Sequence, residues 1–238
     1  MSPALLEIRG ISSGYGARPV LSDLTMNVAS GEFVAIIGPN GHGKTTLLRT
    51  ISGLLPVQSG EIRFDGRRLD RLRPDQIVAA GVIHVPQGDM LFPEMTVLEN
   101  LMMGAYCRRS PAEIRRALEE VFALLPKLAE RRAQLASTLS GGERRMVGIG
   151  RGLMAGGRVL MLDEPSLGLA PIIIDQIYQV VERLKADGRT LILVEENTAR
   201  VADTADHIHL LDNGRFVWEG AGRDLMSRPE ILTTYLGG

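Results

Sequence analysis

Apolar residues fall into short uninterrupted runs at 34–37, 82–85, 159–162, 191–194 and 208–211. Runs of this length without alternation are those of strands buried on both faces, as in a parallel sheet. Between them lies a helical period. From Ile172 to Asp187 the residues Ile174, Ile177, Tyr178, Val181 and Leu184 form one apolar stripe, with Pro171 suited to the first turn and Gly188 to the position after the last. Pro74 and Gly81 bracket a shorter helix by the same logic, and a helix is expected over 47–54. Residues 5–9, 20–28 and 62–64 read as an antiparallel β layer beside this core.

The pattern changes from 91 to 155, where no strand is expected. Ser110-Pro111-Ala112-Glu113 is a capping box opening a helix whose Leu118, Val121, Phe122 and Leu125 face one side. Ser140-Gly141-Gly142-Glu143 is a second. The expected organisation is a single α/β unit in which 1–90 and 156–238 make the core and 91–155 a helical subdomain inserted into it.

At 238 residues, with 45% hydrophobic and 23% charged positions, the chain can bury a substantial core. A net charge of −1 gives no long-range attraction to nucleic acid or anionic lipid. The single cysteine, Cys107, forbids an internal disulfide and fits a reducing compartment. Residues 1–10 lack the basic and apolar regions of a signal peptide, and no apolar run approaches the roughly 20 residues that span a bilayer. Attachment to a membrane would therefore require a separate embedded partner.

The chemistry concentrates in two places. The run at 33–37 leads into Gly38-Pro39-Asn40-Gly41-His42-Gly43-Lys44-Thr45-Thr46 and then a helical pattern. This is the phosphate-binding loop G-x-x-x-x-G-K-[ST] in its required strand–loop–helix setting. Glycines let backbone N–H groups converge on phosphate oxygens, the helix start adds positive potential, Lys44 reaches the β- and γ-phosphates, and the Thr45 hydroxyl ligates Mg²⁺. The His42 side chain is not needed for the backbone to act. The second place is the strand at 159–162, which ends in Asp163-Glu164-Pro165. Acids at the carboxyl end of such a strand can meet the phosphate loop, with Asp163 holding Mg²⁺ and Glu164 polarising the attacking water.

Leu139-Ser140-Gly141-Gly142-Glu143 lies shortly before that acidic strand. With these three motifs in this order, essentially the whole chain resembles the ABC ATPase family. The resemblance implies a phosphate-loop α/β core of RecA type with an antiparallel β layer and a helical subdomain. It also implies that Ser140, Gly141 and Gly142 complete the ATP site of an opposing ATPase subunit, so that ATP is held between two subunits. Tyr15 corresponds to the aromatic that stacks on adenine, and Gln87 to the glutamine that contacts Mg²⁺ and the attacking water. Residues 89–100 resemble the surface that receives the transmembrane permease. The family further implies a solute-binding protein as an indirect partner and a position at the cytoplasmic face of the membrane.

Within the family, Pro165-Ser166-Leu167-Gly168-Leu169-Ala170-Pro171 is similar to the ATPases of branched-chain amino-acid importers, as are Leu91-Phe92-Pro93, Val194-Glu195-Glu196-Asn197 and Tyr235-Leu236-Gly237. Urea and amide importers share much of this pattern. Residues 140–145 resemble the ATPases of lipopolysaccharide export, but the 166–171 loop does not. A DNA-repair or translation ATPase would bring a coiled-coil arm or a second motif set, and neither is present.

One position departs from the family. Where most members carry a histidine that bonds the γ-phosphate, this chain has Glu196, and no histidine occurs between His84 and His207. A carboxylate only accepts hydrogen bonds and is repelled by phosphate. Either Glu196 points away, toward solvent or a basic group, or the site built on this Lys44 hydrolyses slowly. In the extreme, the chain would be an ATP-gated dimerising module.

Overall fold

The computed structural model describes residues 4–88, 90–196, 198–228, 230–231 and 234. Two sheets stand face to face. The first is antiparallel: β1 (Ala4–Tyr15), β2 (Arg18–Ala29), β4 (Val57–Phe64) and β5 (Arg67–Arg68) in the order β2-β1-β4-β5. The second contains β3 (Phe33–Ile37), β6 (Val82–Val85), β7 (Val159–Asp163), β8 (Thr190–Glu195), β9 (His207–Asp212) and β10 (Arg215–Gly220) in the order β10-β9-β3-β8-β7-β6. All its neighbours run parallel except β10 against β9.

The helices are α1 (Lys44–Ile51), α2 (Pro74–Ala80), α3 (Val97–Gly104), α4 (Pro111–Leu124), α5 (Pro126–Glu130), α6 (Gly141–Met154), α7 (Pro171–Ala186), α8 (Thr198–Ala202) and α9 (Gly222–Met226). The five apolar runs all become strands of the central sheet, and no ladder strand forms among the described residues between Val97 and Met154. Helix α1 starts three residues earlier than the pattern predicts and stops at Ile51, because Gly53 takes a left-handed φ of 72° and Leu54 leaves the helix exposed. At Ser110 only half of the expected capping box forms, the hydroxyl accepting from Glu113 N–H at 3.4 Å. At Ser140 both halves form.

β10 is absent from the sequence reading. Its signal was available: Asn213-Gly214 stands between two strands as a two-residue loop, and both residues have positive φ, 44° and 75°, as a type I′ hairpin requires.

Side chains of β3 explain the layering. Phe33, Ala35 and Ile37 point into one apolar core that continues through Val97, Leu101, Val121, Val147, Ile177 and Val181 of the helices. Val34 and Ile36 point into another, shared with Leu47, Leu48 and Ile51 of α1 and with Leu6, Ile8 and Val28 of the antiparallel sheet. The helices of 97–154 thus bury their apolar faces on the same core as the sheet.

β8 ends on a buried carboxyl. Glu195 is 2% exposed and accepts the Ser166 N–H at 3.2 Å. Burial raises its pKa from an ordinary 4.5, and nearby Glu164 pushes the same way.

Two outcomes follow for stability. Ile36→Ala should cost about 2–5 kcal/mol in denaturant unfolding, whereas Ile172→Ala, at a 68% exposed position, should change it by no more than about 0.5 kcal/mol. For Glu195 the folded chain retains a proton that the unfolded chain has released, so this group lowers stability as pH rises above 4.5. Glu195→Gln should therefore raise the melting temperature near pH 7, by ~2–4 °C for each kcal/mol relieved. The gain should vanish near about pH 4 in melting curves followed across pH.

Candidate active site

β3 ends where the loop to α1 begins, and close packing dictates its glycines. A Cβ on Gly38 would lie 2.1 Å from the Leu211 carbonyl oxygen, so the chain can pass β9 only without a side chain. Gly41 and Gly43 have φ of 83° and 110°. Gly43 is the N-cap of α1 and supplies no side-chain acceptor, which leaves the first-turn N–H groups turned toward the loop. Lys44 opens the helix and is 3% exposed. Its ammonium donates to the carbonyls of Gly38 at 2.8 Å and Pro39 at 3.1 Å, lies 3.5 Å from Asn40 Oδ1, and pairs with Glu164 Oε1 at 3.2 Å.

The acids approach from β7, one strand beyond β8. Asp163 is 1% exposed, and its Oδ1 accepts the Thr45 hydroxyl at 3.0 Å. Its Oδ2 makes no hydrogen bond although buried; His84 Nε2, 3.9 Å away, is likewise without a partner. An unsatisfied carboxylate oxygen beside a threonine hydroxyl is an oxygen donor set that fits a hard divalent cation such as Mg²⁺. Glu164 leaves the strand with φ of 45°, a conformation costing about 1 kcal/mol or more for a residue with a side chain. Its N–H bonds the Val194 carbonyl at 2.9 Å and its Oε2 accepts Gln87 Nε2 at 3.0 Å. Asn40, Gly41, Gly43, Lys44, Thr45, Thr46, Gln87 and Glu164 line one cleft of about 180 Å³.

The remaining expected residues fall around this cleft. Tyr15 stands half-exposed at the end of β1, its hydroxyl accepting from Arg49 of α1 at 3.0 Å. The His42 ring is occupied elsewhere, with Nδ1 2.7 Å from Asp212 Oδ1, and the His42 carbonyl accepts the Gly214 N–H at 3.0 Å. Its side chain braces the loop on the β9–β10 turn. Glu196 is exposed, yet it accepts a hydrogen bond from Asn40 Nδ2 at 2.9 Å. The carboxylate is thus both open to solvent and hydrogen-bonded to the loop after β3.

Ser140, Gly141 and Gly142 do not border the cleft. They form the start of α6, with Ser140 and Gly141 exposed and Gly142 buried, and the Ser140 N–H and hydroxyl both donate to Glu143 Oε2, at 2.9 and 2.8 Å. Although burial raises the Glu143 pKa, these bonds to Ser140 and the charge of Arg131 bring it below the ordinary value. Gly142 packs so tightly that a Cβ would sit 2.5 Å from Ile173. Asp89, Asn197 and Tyr235-Leu236-Gly237 lie outside the described residues.

Three residues to which the sequence assigns no role in the site support it. Arg145, buried in α6, donates to the Gly88 carbonyl at 3.0 Å and so ties that helix to the loop carrying Gln87. Fully buried Asn100 organises the next segment through the Phe92 N–H and the carbonyls of Phe92 and Thr96. His84 bonds Ser52 at 3.2 Å beneath Asp163. Only the placement of a polar residue on an otherwise apolar run marked His84; Arg145 and Asn100 look like ordinary helix-surface residues.

Comparison with known proteins identifies the family. Residues 21–167 match the ABC transporter family. The chain is 42% identical over 234 residues to the high-affinity branched-chain amino acid transport ATP-binding protein BraG of Pseudomonas aeruginosa, covering 98% of this chain and 100% of that one. It is 32% identical to a probable branched-chain amino acid transport ATP-binding protein LivF of Archaeoglobus fulgidus, covering 95% and 96%. A nucleotide-free ATP-binding cassette from an ABC transporter superposes with a TM-score of 0.86 at 29% identity, covering 97% and 98%. A dimeric cassette in a post-hydrolysis state bound to ADP and Pi superposes with 0.79 at 26%, covering 92% and 99%. The chain belongs to the ABC transporter family, as one of its ATP-binding, ATP-hydrolysing cassettes.

Proposed function

We propose that this protein is the ATPase subunit of an importer for branched-chain amino acids, binding MgATP between two ATPase subunits and driving a transmembrane permease. The observation that carries the solute class is 42% identity along essentially the whole length of BraG. Phosphate oxygens would replace the Gly38 and Pro39 carbonyls as partners of Lys44, while the loop N–H groups hold the remaining charge. Asp163, Thr45 and Gln87 would hold Mg²⁺, which when bound neutralises charge on the phosphates. Glu164 would take a proton from water as its oxygen bonds the γ-phosphorus and the bond to the β-phosphate oxygen breaks, giving ADP and phosphate. Tyr15 would stack on adenine.

The cleft of one chain lacks the residues of 140–142, which supports their use by a second ATPase subunit. No helix among the described residues is long and apolar enough to cross a membrane. Membrane attachment then falls to the permease, at the cytoplasmic face. The exposed Met90, Phe92, Met102, Met103 and Tyr106 support a docking surface there. A solute-binding protein would act on the permease from the other side. The net charge of −1 supports no nucleic-acid role.

In the assembled transporter, Glu164→Gln should keep MgATP affinity and lower phosphate release by about 100-fold or more, while Lys44→Ala should lose nucleotide binding. ATP-driven leucine uptake into proteoliposomes should fall with both. Uptake indifferent to both substitutions would refute the assignment. The Asn40–Glu196 bond favours the slow-site alternative for this subunit. Glu196→Gln keeps an acceptor for Asn40 and removes the charge, worth about 1 kcal/mol against phosphate in a wet site. It should raise steady-state ATP turnover about fivefold, as should Glu196→His in direction. Unchanged turnover in both would leave hydrolysis unaffected by Glu196.

A further inference from the structure

The β9–β10 hairpin carries polar chemistry that the nucleotide cleft does not use. His207 and His209, two apart on β9, point to the same side of the sheet, and the ladder places Glu219 of β10 directly opposite His209. His209 Nδ1 lies 3.3 Å from Glu219 Oε2, and His207 Nε2 lies 4.0 Å from that oxygen. One ligand atom from each of the three residues falls within 4.8 Å of the others.

His209 is the unusual member. It is 2% exposed, and neither ring nitrogen makes a hydrogen bond. A buried imidazole ordinarily donates one N–H to a carbonyl or hydroxyl, because leaving it unpaired costs about 1–3 kcal/mol. Phe216, with its ring centroid 4.6 Å away, leaves no polar partner on that side. The fold thus presents a buried, unpaired imidazole to a second imidazole and a carboxylate.

We propose that His207, His209 and Glu219 form a binding site for a divalent transition-metal ion, Zn²⁺ foremost, separate from the nucleotide site. Two imidazoles and a carboxylate are borderline donors that suit Zn²⁺, Ni²⁺ or Cu²⁺ and not the hard Mg²⁺ of nucleotide chemistry. Tetrahedral ligands at ~2.1 Å from zinc stand about 3.4 Å apart. The 3.3 Å pair already has that spacing. The wider spacings, up to 4.8 Å, close by rotation of the partly exposed His207 ring together with Glu219, whose side chain is 65% exposed. Water from the exposed side completes the coordination. Bound metal would staple β10 to β9, and the Gly214 N–H in the turn between them supports the His42 carbonyl in the phosphate loop.

The test is calorimetric titration of the purified full chain with Zn²⁺ at neutral pH in excess Mg²⁺. One Zn²⁺ should bind per chain. His207→Ala and Glu219→Gln, at partly exposed positions, should each weaken affinity about tenfold or more, and Cys107→Ser should not. Zn²⁺ should raise the melting temperature of the wild type and leave that of the His207→Ala protein unchanged. No binding at about 100 μM Zn²⁺, or equal affinity in wild type and both hairpin variants, overturns the site.

Discussion

Lys44 places a full positive charge where almost no water reaches it, and the surrounding structure is arranged to keep that charge among oxygen atoms. An unpaired buried ammonium would be prohibitive. Its partners therefore have to come from elements far apart in the chain: two carbonyls from the turn after β3 and a carboxylate from the end of β7. Each partner imposes its own constraint. The turn must pass so close to Leu211 that Gly38 cannot carry a side chain, and Glu164 must adopt a left-handed backbone to aim its carboxylate at the loop. Both constraints serve the later arrival of phosphate, a stronger set of partners in the same place.

The two-core layering makes those approaches reproducible. β3 has helices behind one face and α1 with the antiparallel sheet behind the other, so the loop leaving it has little freedom. β8 lies between β3 and β7 and sets the distance from the loop to the acids. Its own end supplies the Val194 carbonyl that holds Glu164 and the buried Glu195 that holds Ser166. The site is thus a property of adjacent strand ends in a parallel sheet.

Contacts around the site connect it to the surfaces proposed above to meet other subunits. Arg145 joins the helix that opens with Ser140 to the loop bearing Gln87, and Asn100 shapes the segment beyond that loop. Asn40 joins the phosphate loop to Glu196 after β8. These are single, specific hydrogen bonds across elements, so movement of one partner is felt by the other without a change in either core.

Much of this was legible along the chain because it rests on local rules. Uninterrupted apolar runs identified the strands of the parallel sheet, Pro171 and Gly188 bounded α7, and glycines with Lys44-Thr45 between a strand and a helix read as a phosphate turn. Even the missed β10 was announced by Asn213-Gly214. What the sequence could not contain was who meets whom at a distance. His42 is committed to Asp212, Glu196 to Asn40 and Arg145 to Gly88, while His209 is left without a partner beside Glu219. Residue type and period determine which element forms and which face is buried. Strand order and register decide which polar atoms are then brought together and which are shut away from water, and those depend on the closing of the whole sheet.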